Sequence, residues 1–294
     1  MRVLILGLAK SGTSALAYKI ANSLPKAETD VLFEPSVYLD SDIKNVVAKV
    51  LIDGYLWHRF PYSGHVIAPA LVDMLSFAPL DKRILIVRDP KDRLISVMLY
   101  CLYHEPYCRD ALFIRSVVGL LRAKEAAPGS VRFVDFHTFL QQYHQHAGRL
   151  TAKLPVFPIN MADFDAERSV ENRLLKYLEE NPGLFLLRYE DLMDNRLGPL
   201  EDFLGVSLSG TAQLLPGMER IERTKTYGNY KNWFTPEDVP YYRSLFRDYA
   251  AHFPCYDDFT LNPLQTLRPE HGSAYVLRIV NEARGYLNLE PIAE

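Results

Sequence analysis

Two stretches of this chain carry side chains whose types and spacing suit the grip of a polyanion. The first, Gly7-Leu8-Ala9-Lys10-Ser11-Gly12-Thr13-Ser14, follows the apolar run Val3 to Leu6 and precedes a helical pattern, so it reads as strand, tight turn and helix start. Glycines at 7 and 12 let the backbone turn sharply, and the first helical N–H groups, joined by the Ser11, Thr13 and Ser14 hydroxyls, converge on one anion. The interval from Gly7 to Gly12 is that of a nucleotide triphosphatase loop, but Thr13 stands where such a loop has its phosphate lysine. The lysine is at position 10 instead, inside the turn, where it can reach an atom that bridges a phosphate to its leaving or transferred group. The second stretch, Ile84 to Ser96, is a strand running into a marked helix start. Asp89 can cap, Pro90 suits the first helical position and Asp92 sits where a capping-box partner belongs. Arg88 at the strand tip offers a planar cationic fork, and Ser96 lies on a helix face that can turn back toward it, so the pair can clamp a second phosphate.

These groups need a frame that brings them to one edge. Apolar runs of strand length at 2–7, 29–34, about 54–58, 83–88 and 184–189 alternate with helical patterns near 13–23, 41–51, 66–76, 90–103, 111–126 and 169–180. Uniformly apolar strands separated by helices indicate an α/β fold: a three-layer α/β/α sandwich around a mainly parallel sheet. Ligands bind beyond the carboxyl ends of such strands, where Lys10, Glu34, His58, Arg88 and Tyr189 fall. The stretch 128–168 is the least regular, either a cap over an acceptor or a long connection, and a helical pattern from Ser273 to Tyr286 suggests a segment packed on the outside. The expected organisation is one domain over 1–260 with a helical extension, 261–294, packed on it.

Hydrophobic residues at 48% and charged residues at 23% are ordinary globular values. A net charge of −3 provides no general attraction to nucleic acid or anionic lipid, so an anionic ligand must be held by locally placed Lys and Arg. The three cysteines have no metal-ligand spacing and an odd count, which fits a reducing, cytoplasmic setting better than a disulfide framework. The N-terminal apolar run is too short for a secretory signal, and no stretch approaches the roughly 20 apolar residues of a membrane span. Neither a metal, a membrane nor a nucleic acid is expected as partner; oligomeric state is not legible.

Lys10-Ser11-Gly12-Thr13-Ser14 resembles the 5′-phosphosulfate loop of the sulfotransferases that use 3′-phosphoadenosine 5′-phosphosulfate, PAPS. Val87-Arg88-Asp89-Pro90, continued by Asp92, Arg93, Leu94 and Ser96, resembles that family's 3′-phosphate element, with the arginine-to-serine interval preserved. Two phosphate elements in the family's chain order are more specific than either alone. Further on, Tyr189-Glu190-Asp191-Leu192 looks like the family's strand end whose tyrosine contacts adenine, and Phe203-Leu204-Gly205 like its helix stop. Arg223 to Thr235 resembles the closing segment that wraps the 3′-phosphate, although Thr224 and Lys225 stand at the Lys-Gly positions and Tyr230 replaces a tryptophan. Arg223 carries over by position, and Lys225 is the candidate for the missing charge. The resemblance covers residues 1 to about 250 and implies a fold like that of the P-loop nucleotide hydrolases.

What the resemblance implies is transfer of a sulfuryl group from PAPS, with adenosine 3′,5′-bisphosphate as product, to an acceptor hydroxyl on a carbohydrate or small metabolite. Ser11, Gly12, Thr13, Ser14, Arg88, Ser96, Tyr189, Arg223 and Lys225 would hold the donor, and Lys10 would stabilise charge on the departing phosphate oxygen. Glu34, in a Phe-Glu-Pro run like that of carbohydrate-type members, is the first candidate for general base; His58, in a histidine context only partly like that of cytosolic members, is the second. Tyr38, Trp57, Tyr62 and Tyr103 could stack on a sugar or a phenol. Two other readings stay open: a nucleotide-dependent kinase, disfavoured by the missing Walker lysine and the lack of a clear magnesium-holding pair, and a non-catalytic nucleotide-binding module, for which neither Lys10 nor Glu34 would be needed.

Overall fold

The computed structural model describes residues 1–33, 43–52, 80, 82–105, 107–150, 164–213 and 219–293. It divides into two compact units, one drawn from 1–58, 66–89 and 172–219, the other from 59–65, 90–171 and 220–294.

The first unit is built on strands β1 (Arg2–Gly7), β2 (Thr29–Phe33), β3 (Asn45–Leu51), β4 (Lys82–Val87) and β5 (Phe185–Arg188), which form one sheet in the order β2-β3-β1-β4-β5. Every pairing is parallel, so the fold is α/β with a parallel sheet, as the alternating pattern indicates. Helix α1 (Thr13–Ala21) buries Leu16, Ala17 and Ile20 against Val3, Ile5, Val47, Ile84 and Ile86, and the same cluster takes in Leu192, Leu200 and Leu204 from two short helices after β5. The residues that alternate with these along the strands, Leu4, Leu6, Ala48 and Leu85, are equally inaccessible. Both faces are covered, which is why these strands are apolar throughout instead of alternating. Burial of each Val, Leu or Ile side chain among them contributes roughly 1.5–3 kcal/mol.

Within 41–51, where a helix was expected, Asn45–Leu51 is β3, an interior strand of the sheet. Val46, Val47 and Val50 mimic helical spacing, but three β-branched residues with Ala48 buried among them favour a strand covered on both faces. Nor is 128–168 irregular throughout, since Phe133–Leu150 is a long helix. The expected strand at 54–58 and helix at 66–76 lie outside the described residues.

The second unit is helical: α2 (Pro90–Cys101), α3 (Ala111–Ala126), α4 (Phe133–Leu150), α8 (Tyr230–Trp233), α9 (Val239–Leu245), α10 (Arg247–His252) and α11 (Ser273–Tyr286), with α5 (Phe164–Glu180) at its chain boundary with the first unit. Two short helices, α6 (Tyr189–Met193) and α7 (Gly198–Leu204), belong to the first unit. Asp238, fully buried, is a hub of the second. Its carboxylate accepts from the Phe133 and Val134 N–H groups at the start of α4, both at 2.9 Å, and from the Thr235 N–H at 2.7 Å. Helix α11 packs on α3 and α2; the Glu125 carboxylate accepts from the Ser273 hydroxyl at 2.7 Å, and Arg284 donates to the Cys108 carbonyl at 2.8 Å.

Candidate functional site

The parallel register puts the candidate groups of the first unit at one edge. Gly7 pairs with Leu51 on one side and Ile86 on the other, and Val87 pairs with Arg188, so the turn after β1, Arg88 and Tyr189 leave adjacent strands together. The turn folds back on itself, with the Ser11 N–H donating to the Leu8 carbonyl at 3.1 Å. It contains two left-handed residues, Lys10 at φ 66° and Gly12 at φ 95°. Gly12 occupies the cap position of α1, and no side chain caps that helix start. Ser11, Thr13 and Ser14 are all buried.

Close packing explains both glycines. A Cβ on Gly7 would lie 2.8 Å from the Thr13 methyl, and one on Gly12 would lie 2.4 Å from Cδ2 of Tyr189. The Tyr189 ring therefore forms a wall against the turn. On that ring rests the Arg88 guanidinium, 4.3 Å from its centroid, while Arg88 Nη1 donates to the Lys10 carbonyl at 2.9 Å. Arg88 is 6% exposed, and its link to Lys10 ties the tip of β4 to the turn after β1. Lys10, Ser11, Gly12, Thr13, Ser14, Arg88 and Tyr189 are thus brought into one place.

Two details differ from the sequence reading. Tyr189 does not end a strand; β5 stops at Arg188 and Tyr189 opens α6. Asp92 does not close a capping box, because the Asp89 N–H donates to Glu190 at 3.1 Å instead. The Asp92 carboxylate, fully buried, accepts from the Gly228 and Tyr230 N–H groups at 2.5 and 2.8 Å, pinning the segment after Arg223 to the first turn of α2. Ser96 is buried one turn beyond Asp92 on the same helix. Sequence reasoning gave Asp92 a local capping role and Glu190 none, and found the true partner of neither. The signal was there, in acidic groups flanking an apolar strand end and helix, but their partners lie more than a hundred residues away.

In that segment, Arg223 Nη1 donates to the His271 carbonyl at 3.2 Å and its guanidinium lies 5.9 Å from the Trp233 ring. Burial and the charges of Arg223 and Arg268 hold the His271 imidazole below its ordinary pKa. Lys225, at φ 51°, points to solvent with its ammonium 2.7 Å from Glu222. Glu34 and His58, with Tyr38, Trp57 and Tyr62, lie outside the described residues. Tyr103 is buried on the second unit, stacked on Tyr100 with centroids 6.0 Å apart.

Among the described residues, no group of three or more His, Cys, Asp or Glu is arranged to hold a metal ion, and no helix is long and apolar enough to cross a membrane. A left-handed turn, buried hydroxyls and an arginine seated on an aromatic ring make a cradle with the donors of an anion site. No protein-family model matches the sequence, and no curated protein matches it significantly. Among solved structures, the chain is similar to the crystal structure of mouse sulfotransferase SULT7A1 complexed with PAP, at 16% identity over 88% of each chain and with a TM-score of 0.48.

Proposed function

We propose that this protein is a transferase that moves the sulfuryl group of PAPS to an acceptor hydroxyl without a metal. The observation that supports this best is the cradle at the end of β1, where Arg88 binds the Lys10 carbonyl and lies over Tyr189, itself packed on Gly12. The residue types fit a nucleotide with phosphates at both 5′ and 3′ positions. Backbone N–H groups of Gly12 to Ser14 and the hydroxyls of Ser11, Thr13 and Ser14 bind the 5′-phosphate, favoured by the start of α1. Held inside the turn, the Lys10 ammonium balances charge growing on the 5′-phosphate oxygen as the sulfuryl group departs. Tyr189 sits beside the adenine. By sequence pattern, Arg88, Ser96 and Arg223 answer to the 3′-phosphate, and Lys225, the fourth candidate, must leave Glu222 to join them.

When bound, the donor supplies an activated sulfur–oxygen bond, and positioning with charge stabilisation does most of the catalysis, as in phosphoryl transfer. Glu34, or failing that His58, accepts the acceptor's proton. The acceptor is a sugar or small-molecule hydroxyl, and the protein acts as one functional domain in the cytoplasm.

Calorimetry tests the reading directly, with adenosine 3′,5′-bisphosphate in the absence of metal set against ATP with magnesium, on wild type and on Arg88→Ala and Ser96→Ala. Preference for the bisphosphate, lost in Arg88→Ala and weakened about three- to tenfold in Ser96→Ala, is expected from the loss of charge-assisted and neutral hydrogen bonds respectively. Preference for ATP would turn the reading to a kinase, and binding without turnover on any hydroxyl acceptor to a nucleotide-binding module.

A further inference from the structure

The segment 220–235 carries Arg223; Asp92 and Asp238 hold three of its N–H groups, while the chain beyond residue 254 holds the carbonyls of Arg220, Glu222, Lys231 and Phe234. The Tyr275 hydroxyl, on a residue 1% exposed, donates to the Arg220 carbonyl at 3.0 Å. Arg278 donates to the Glu222 carbonyl at 3.3 Å, and the Arg220 guanidinium reaches Glu282 at 3.2 Å. Tyr275, Arg278 and Glu282 are spaced three and four apart, so one stripe of α11 lies along 220–222. Arg223 itself is tied to the His271 carbonyl just before that helix. Farther along, the Tyr230 hydroxyl donates to the Asp258 carbonyl at 2.9 Å, and the Gln265 amide donates to the carbonyls of Lys231 and Phe234 at 3.1 and 2.5 Å. All of these groups belong to the second compact unit.

Residues 222–229, which carry Arg223, lie in no helix or strand, and such a loop takes its shape from outside partners. Here that matters more than usual, because the position expected to hold a second cation is Thr224, and the neighbouring Lys225 ammonium is 2.7 Å from Glu222 with its side chain 70% exposed. We infer that α11 is the template that positions Arg223 for the 3′-phosphate of the donor, with Tyr275 and Arg278 as positioning residues. The inference rests on the sulfotransferase reading above and assigns the last forty residues a part in nucleotide discrimination.

The ratio of affinities for adenosine 3′,5′-bisphosphate and adenosine 5′-monophosphate, measured by calorimetry, reads the grip on the 3′-phosphate alone. Tyr275→Phe removes only a hydroxyl, and Arg278→Ala is a change at an exposed position that keeps the helix core. Each is expected to lower the ratio about three- to tenfold, the value of one hydrogen bond, with affinity for the monophosphate unchanged. Ser273→Ala, which loosens α11 from Glu125 without touching 219–235, is expected to lower the melting temperature and leave the ratio as it is. A fall in either positioning variant supports the inference, and Arg278→Ala decides it alone if Tyr275→Phe does not fold. An unchanged ratio in the folded variants overturns it while the sulfotransferase reading stands; a wild type with no preference for the bisphosphate overturns both.

Discussion

Gly12 combines a left-handed backbone, φ 95°, with a ring where its side chain would be. Gly12→Ala therefore meets two penalties, backbone strain and a clash with Tyr189, and is expected to lose roughly 2–4 kcal/mol of stability. Repeating the substitution in a Tyr189→Ala background should remove the clash and leave only the strain, so a smaller loss there, by urea denaturation, checks the geometry; equal losses would refute it. Lys124 presents a different residue-level effect. Its side chain is buried, with its ammonium donating to the Pro128 and Val131 carbonyls at 2.9 and 2.5 Å, and burial lowers its pKa to about 8 against the opposing pull of Asp238. Since the folded pKa lies below the unfolded one, the charged form is penalised in the fold at pH below 8, and stability returns as pH rises from about 8 toward 10.5. Wild type should gain about 1–2 kcal/mol on Lys124→Met between pH 7.5 and roughly 9.5 in denaturant titrations; a constant difference across that range would show that the group does not titrate there.

Between elements, the most consequential contact of the second unit is the ion pair of Arg93 and Glu171, 2.8 Å apart with side chains 2% and 4% exposed, which joins α2 to α5. Two charges held this deep attract strongly but were costly to desolvate, so breaking the pair is far worse than replacing it. Glu171→Ala alone is expected to destabilise by roughly 3–5 kcal/mol, whereas Arg93→Met with Glu171→Leu should recover most of that loss. A double variant as unstable as the single one would mean that packing, not the stranded charge, sets the penalty. The same helix α2 offers Asp92 to Gly228 and Tyr230, so its first turns are a structural anchor as well as a candidate binding element.

For the whole molecule, a net charge of −3 sets a mildly repulsive background for a polyanionic nucleotide, and only clustered cations and aimed N–H groups overcome it. Binding of adenosine 3′,5′-bisphosphate should therefore weaken with ionic strength while remaining indifferent to a chelator. At roughly a hundred times its Kd the ligand should raise the unfolding free energy by about 2.7 kcal/mol, visible as a higher melting temperature with or without a chelator. No shift at saturating ligand would deny a native-state site.

Short-range periodicity and turn chemistry were enough to specify the α/β class, the run from β1 through the glycine turn into α1, the strand-to-helix step at Arg88, and the bounds of α3 and α11. The same patterns marked Lys10, Ser11, Thr13 and Arg88 as groups bound for one edge, since strand ends in a parallel sheet converge. The remainder depends on long-range packing. Local spacing cannot tell a valine-rich central strand from a helix, so β3 emerged only from its pairing with β1 and β2. Nor can it show that Arg88 holds the Lys10 carbonyl, that Glu190 takes the Asp89 N–H, or that α11 lies along 220–222. Those contacts join residues 55 to 101 positions apart, and what selects them is the demand that every buried polar group find a partner, which is met only when the chain has closed on itself.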